Sequence, residues 1–233
     1  MSGRWEELEV DGSEMRCHLA LPEAASASPG VLVCMHAPGV DAFIRGIADR
    51  LAENGFAAIA PDLYHRQTEP EENPLASMAK LRDAEVLPDL AAATARLRGL
   101  PEVDASRTGV IGFCMGGRLA YLQAAADPEL RASVVFYGGN ILVPWGDGPS
   151  PFDRTHSVGC PVLGLFGEED QNPNPADVLK IDAELTRLGK PHAFQSYAGA
   201  GHAFMNADRP SYRAEAAADA WRRCVDWLRQ HLG

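Results

Sequence analysis

A chain of 233 residues with 46% apolar content is sized for one large α/β domain with a substantial core. Its formal charge of −11 argues against nucleic acid or an anionic membrane surface as partner, and no apolar run approaches the ~20 residues of a membrane span. The stretch Met1–Glu7 is too acidic for a signal peptide, and five scattered cysteines (17, 34, 114, 160 and 224) lack metal-type pairing, so a reducing cytoplasm is the expected compartment.

Two strands are predicted first, Trp5–Val10 and Met15–Leu21, joined by the turn dipeptide Asp11-Gly12. Pro22–Gly30 is a loop by composition. Val31–Met35 is an unbroken apolar run, as in a strand buried on both faces. Cys34 here, and Cys160 further on, lie in such runs and read as small buried hydrophobes. Within Asp41–Asn54, residues Phe43, Ile44, Ile47, Ala48 and Leu51 recur at helical spacing, and Gly55 follows as a cap. Strand Phe56–Ala60 ends at Pro61-Asp62, and the polar, proline-broken stretch 67–75 predicts a loop or the edge of a small cap. From Asp83 a helix with Val86, Leu90, Ala93 and Leu97 on one face runs to Gly99, with Pro88 kinking it or marking its start. After Val110–Gly117 come strand Ala132–Tyr137, an irregular region 138–159, strand Pro161–Phe166 and helix Pro175–Leu188 before Gly189. Strand Ala193–Tyr197 and a final amphipathic helix, Tyr212–Leu232, complete the chain. The alternation predicts a single domain over 1–233, with a mostly parallel central sheet and helices on both faces.

The stretch Val110-Ile111-Gly112-Phe113-Cys114-Met115-Gly116-Gly117 leads into a helix-like segment at Arg118. Strand, sharp turn and helix form the context in which Gly-x-nucleophile-x-Gly becomes a nucleophile elbow, here with a thiol at its centre. In such sheets ligands sit beyond the carboxyl ends of the strands. Two further strands run out on that edge, one into Gly167-Glu168-Glu169-Asp170 and one into Ala198-Gly199-Ala200-Gly201-His202. Nucleophile, acid, histidine is the chain order of the α/β-hydrolase triad. A free thiol, with pKa ~8.5, needs a base to raise its reactive fraction; His202 suits that role. The acid that fixes the imidazole stays open among Glu168, Glu169 and Asp170. An oxyanion needs two donors: Met115 N–H directly after the nucleophile, and Ala37 N–H in His36-Ala37-Pro38-Gly39, where Pro38 has none to give.

These pieces resemble the dienelactone hydrolase (carboxymethylenebutenolidase) family. The matching residues are Gly112-Phe113-Cys114-Met115-Gly116-Gly117, Ala60-Pro61-Asp62-Leu63-Tyr64, Gly39-Val40, the Glu169-Asp170 loop and Ala200-Gly201-His202-Ala203-Phe204. The resemblance implies an α/β-hydrolase fold, and an enzyme opening ester or lactone bonds through a Cys114–His202–Asp170 triad and a covalent acyl-enzyme, without metal or organic cofactor. It also places Tyr64 and Phe204 near the substrate. A small ester or lactone would be the partner, with the chain a monomer or small homo-oligomer.

The chain departs from the family at two points. Dienelactone-cleaving members carry a glutamate where His36 stands, and arginines that hold a substrate carboxylate; His202-Ala203-Phe204-Met205-Asn206 has no arginine. A histidine would not repel a thiolate as a carboxylate does, so His36 is expected either to tune Cys114 or to order the oxyanion loop. Both departures point toward neutral esters or lactones. A thioester or peptide hydrolase using the same triad is the alternative within enzymology. A non-catalytic binding protein on a hydrolase scaffold is the alternative outside it.

Overall fold

The sheet begins with a hairpin and ends as a parallel α/β stack. The computed structural model describes residues 3–24, 26–67 and 71–233. Met1, Ser2, Ala25 and residues 68–70 lie outside them, and with them part of the expectations for the N-terminus and for loops 22–30 and 67–75. Strands β1 (Arg4–Val10) and β2 (Ser13–Ala20) pair antiparallel around Asp11 and Gly12, both at positive φ. There follow β3 (Ser28–Cys34), α1 (Ala42–Glu53), β4 (Ala57–Pro61), α2 (Pro74–Lys80), α3 (Asp83–Arg98), β5 (Val103–Phe113) and α4 (Met115–Ala126). Then come β6 (Ala132–Phe136), a 3-10 turn at Phe152–Ser157, β7 (Val162–Gly167), α5 (Pro175–Arg187), β8 (His192–Tyr197) and α6 (Ala214–Leu232). The eight strands lie in the order β1-β2-β4-β3-β5-β6-β7-β8. From β4 through β8 every pairing is parallel, as the unbroken apolar runs require.

Helices α1 and α6 share one face, where the Arg50 guanidinium lies 4.1 Å from the Trp221 ring; α3 and α4 cover the other. The core between them includes Val31, Leu32, Val33, Ile59, Val110, Ile111 and Leu119, all fully buried. Each such side chain contributes about 1.5–3 kcal/mol on leaving water. Truncating central Ile111 to Ala would cost about 2–5 kcal/mol.

Several elements differ from their sequence expectation. Strand β3 begins at Ser28, inside the expected loop, because Pro29 lies at a bulge where the register against β5 shifts. Strand β5 reaches back to Val103. Residues 74–80 form the helix α2, capped by Asn73 with Pro74 at its first turn, rather than a loop. Helix α3, by contrast, starts at Asp83 as expected and runs through Pro88, giving up one backbone bond near its beginning. Helix α6 starts at Ala214, two residues later than expected.

Candidate active site

At the carboxyl end of β5, Cys114 adopts φ 58° and ψ −120°, a left-handed conformation costing a non-glycine residue about 1–3 kcal/mol. The surroundings over-determine it. Its N–H donates to Phe136 O (3.1 Å), and its carbonyl accepts from Gly117 N–H (3.0 Å) and Arg118 N–H (3.3 Å). A Cβ on Gly112 would collide with the Gly116 backbone, and one on Gly116 with the carbonyls of Cys34 and Met35. The turn is therefore open only to glycine at both flanks. Cys114 is partly exposed, whereas the other four cysteines are buried. Burial pushes the thiols of Cys17 and Cys160 up to about 12. At the start of α4, Met115 N–H has no partner within the helix and is available to an anion.

The ends of β7 and β8, both on one side of β5, bring a carboxylate and an imidazole to the same edge. Asp170, 2% exposed beyond β7, accepts His202 Nδ1–H on Oδ2 (2.8 Å) and Asn172 N–H on Oδ1 (2.9 Å). Glu168 and Glu169 are exposed, so of the three acids only Asp170 reaches the histidine. Burial lowers the basicity of His202. The hydrogen bond to Asp170, a hydrogen bond with Cys114 and negative charge on both outweigh it, and the pKa is pushed up to about 10. Tyr137, at φ 38° after β6, sets its ring edge-on to His202 with centroids 5.2 Å apart. Burial, with Cys114 and Asp170 nearby, holds its phenol well above the usual range.

Cys114, Met115, Asp170 and His202 share one cavity of about 360 Å3, whose far wall is Leu75 and Met78 of α2, with Asn140, Gln171 and Asn172 beside them. Ala37 and Tyr64 border a second cavity of about 540 Å3, and the Tyr64 hydroxyl donates to Ala37 O (2.8 Å), tying the 36–39 loop down. His36 is buried and directed at α1. Its Nε2 lies 2.9 Å from Asp41 Oδ2, at an angle poor for a hydrogen bond, and its ring is 5.4 Å from that of Phe43. It does not line the Cys114 cavity, so the geometry favours loop ordering over tuning of the thiol. Phe204 is a correction: it is fully buried against Tyr137 and Tyr197, because the chain turns inward after the positive-φ Ala203. Among the described residues no group of three or more His, Cys, Asp or Glu side chains is arranged to hold a metal ion.

Sequence reasoning missed Tyr137, Asn140, Asn172 and Arg118. Asn140 N–H donates to Asn172 Oδ1 (3.1 Å) and its own Oδ1 accepts from Asn172 Nδ2 (3.2 Å), joining the loop after β6 to the loop holding Asp170. Behind them Arg118 of α4, wholly buried, binds Asp83 with both terminal nitrogens (2.6 and 2.9 Å). It also donates to Asn140 O (3.1 Å) and Val143 O (2.9 Å) and lies 3.9 Å from the Trp145 ring. Asn140 and Asn172 carried no signal beyond turn composition.

A profile of the family described as "Dienelactone hydrolase family" matches residues 15–232. A Methylorubrum extorquens protein with the provisional name carboxymethylenebutenolidase is 38% identical over 223 residues, covering 91% of this chain and 75% of that protein. A Synechocystis protein of the same provisional name is 37% identical over 226 residues, covering 92% and 91%. The crystal structure of a Klebsiella pneumoniae protein, provisionally a dienelactone hydrolase, superimposes with a TM-score of 0.91 at 32% identity over 98% of each chain.

Proposed function

The chain belongs to the dienelactone hydrolase family, hydrolases acting on lactone and ester bonds, and we propose that it does so through a Cys114–His202–Asp170 triad and a covalent acyl-enzyme. The observation that carries this reading is the 2.8 Å contact of His202 Nδ1 with buried Asp170, in the same cavity as Cys114.

Cys114 Sγ attacks the acyl carbon, forming the C–S bond while the carbonyl electrons move onto oxygen. The oxyanion is met by Met115 N–H at the start of α4 and by Ala37 N–H across the elbow. His202 holds the proton taken from the thiol; its raised basicity keeps that proton on the imidazole across neutral pH. As the C–O bond breaks, the proton passes to the leaving alkoxide, which in a lactone stays tethered to the acyl group. A water then gives its proton to His202, attacks the thioester and expels Cys114. Asp170 fixes the tautomer, keeping the proton on Nδ1 and the opposite nitrogen toward the thiol. Nothing lining the cavity among the described residues is an arginine or lysine, which supports a neutral ester or lactone as substrate.

The test is turnover of a short p-nitrophenyl ester. Iodoacetamide is expected to abolish it with one equivalent bound, and Cys114→Ala to remove it with the melting temperature retained. A mass shift equal to the acyl group on Cys114 marks the intermediate. Turnover surviving both treatments overturns the mechanism.

A further inference from the structure

Beside the catalytic groups, the cavity wall carries one feature that the reaction does not use. Glu169 lines it, exposed, between the buried Asp170 and β7. The two residues are neighbours with opposite surroundings. Asp170 is turned inward, and its charge is balanced by the His202 imidazolium. Glu169 has its N–H fixed to Ala200 O (2.9 Å) and no ion-pair partner within 4 Å among the described residues. The cations flanking the cavity in sequence are committed elsewhere. Lys80 at the end of α2 pairs with Glu71, Arg82 donates to the carbonyls of Ala79 and Leu81, and Arg118 is buried against Asp83. The rest of the wall is apolar (Leu75, Met78) or neutral amide (Asn140, Gln171, Asn172). With Asp170 balanced by His202, what remains is the negative charge on Cys114 and that of Glu169, so Glu169 deepens the negative field that an incoming molecule meets. The surplus of carboxylates over the whole chain reinforces it.

We infer that Glu169 is a charge filter: the site takes esters and lactones whose acyl or alcohol portion is neutral or positively charged, and turns away those bearing a carboxylate. This rests on the Cys114 cavity being the substrate site. The filter is electrostatic and acts through a partly solvated gap, so it weakens as salt shortens the screening length to about 8 Å near physiological ionic strength. Two unit charges facing each other across such a gap change an encounter by a few-fold in each direction, giving a cation-over-anion preference of about fivefold or more.

The experiment reads the filter independently of turnover. Cys114 is modified with a cationic (trimethylammonium-ethyl) and an anionic (sulfonatoethyl) methanethiosulfonate, each rate divided by that of free 2-mercaptoethanol. The wild-type ratio of cationic to anionic reagent is expected about fivefold above unity at low salt. It should fall several-fold in Glu169→Gln, fall further in Glu169→Lys, and shrink in 0.5 M NaCl. Using a ratio cancels any change in thiol reactivity common to both reagents, and the buried cysteines do not contribute. If wild type and Glu169→Gln give the same ratio, the filter is absent. Should Glu169→Lys fail to fold, Glu169→Gln and the salt series decide. In parallel, p-nitrophenyl butyrate and p-nitrophenyl hemisuccinate are compared. No turnover of either ester with a charge-dependent modification ratio would sink the proposed function and leave the filter standing. Equal turnover of both with equal ratios would sink the filter and leave the function.

Discussion

Of the histidine–aspartate pairs among the described residues, two set the imidazole against an almost wholly buried carboxylate, His202–Asp170 and His65–Asp89, and they differ in what else neutralises that carboxylate. At the site, His202 Nδ1 lies 2.8 Å from Asp170, with 35% of the histidine side chain exposed. On the hairpin side of the sheet, His65 Nε2 lies 3.1 Å from Asp89, with only 2% exposed, and Ser13 Oγ is 3.1 Å from His65 Nδ1. Read as a list of residues, Ser13–His65–Asp89 looks as catalytic as Cys114–His202–Asp170. The difference is the company. Arg66 Nη1 stands 2.5 Å from Asp89 Oδ2 and 2.7 Å from His65 Nε2, so a permanent cation supplies the protons that Asp89 needs. His65 then serves as a packed acceptor bracing the hairpin against α3. Among the described residues no lysine or arginine pairs with Asp170, whose charge is left to the imidazole of His202. A buried carboxylate makes a base of its histidine only when nothing else neutralises it.

This contrast is open to direct attack, beginning where the effect is largest. Asp170→Asn is expected to lower kcat on the order of 10²–10⁴-fold by losing tautomer control, with little change in melting temperature. Asp89→Asn should do the reverse. Removing the charge from a buried ion pair costs about 2–3 kcal/mol here, below the usual figure because Arg66 still reaches water and Asp11. For a chain of this length that is a fall of about 5–10 °C in Tm, with kcat on p-nitrophenyl butyrate changed less than the fold-drop seen for Asp170→Asn. Matching phenotypes for the two variants would erase the distinction.

A smaller effect sharpens it. The pKa of His202 is raised in the folded chain, so its protonated form is favoured by folding. That contribution is complete below the unfolded value near 6.5 and fades as pH rises toward about 10. The gap in Tm between wild type and His202→Gln is therefore expected to be widest at pH 6 and to close by pH 10. A gap independent of pH would show that the imidazole is held by packing alone. The smallest effect belongs to His36. Because it faces Asp41, His36→Gln should leave the pH profile of Cys114 alkylation unchanged. A shifted profile would return His36 to the role of tuning the thiol.

The difference between the two pairs also marks what could be read from the chain. The elbow was legible because Gly112, Gly116 and Gly117 punctuate an apolar run, and the mostly parallel sheet followed from the alternation of strands and helices. His202 was legible from its place after a strand. The acid was not: three carboxylates in a row satisfy the same spacing, and only the inward turn of the loop separates Asp170 from its neighbours. Phe204 was misplaced because an aromatic after a catalytic loop can face substrate or core, a choice fixed by the backbone turn at Ala203. Helix α2 was hidden among prolines that look like breakers until Pro74 is seen to start a helix. The burial of Arg118 had no local signature, since its partner is 35 residues away.

Arg118 has a consequence for how the protein breathes. One side chain grips α3 through Asp83 and the loop after β6 through two carbonyls, while itself standing one turn into the elbow helix. The pocket floor cannot loosen piecemeal, because releasing the loop would strand a charge in the interior. In hydrogen–deuterium exchange the amides of α4 are therefore expected to exchange only as fast as the whole domain unfolds. Helix α2 presents Leu75 at 57% exposure and buries only Ser77 among its residues, so its amides should exchange far sooner. Engineering for new substrates has its room in that roof, and none in the floor.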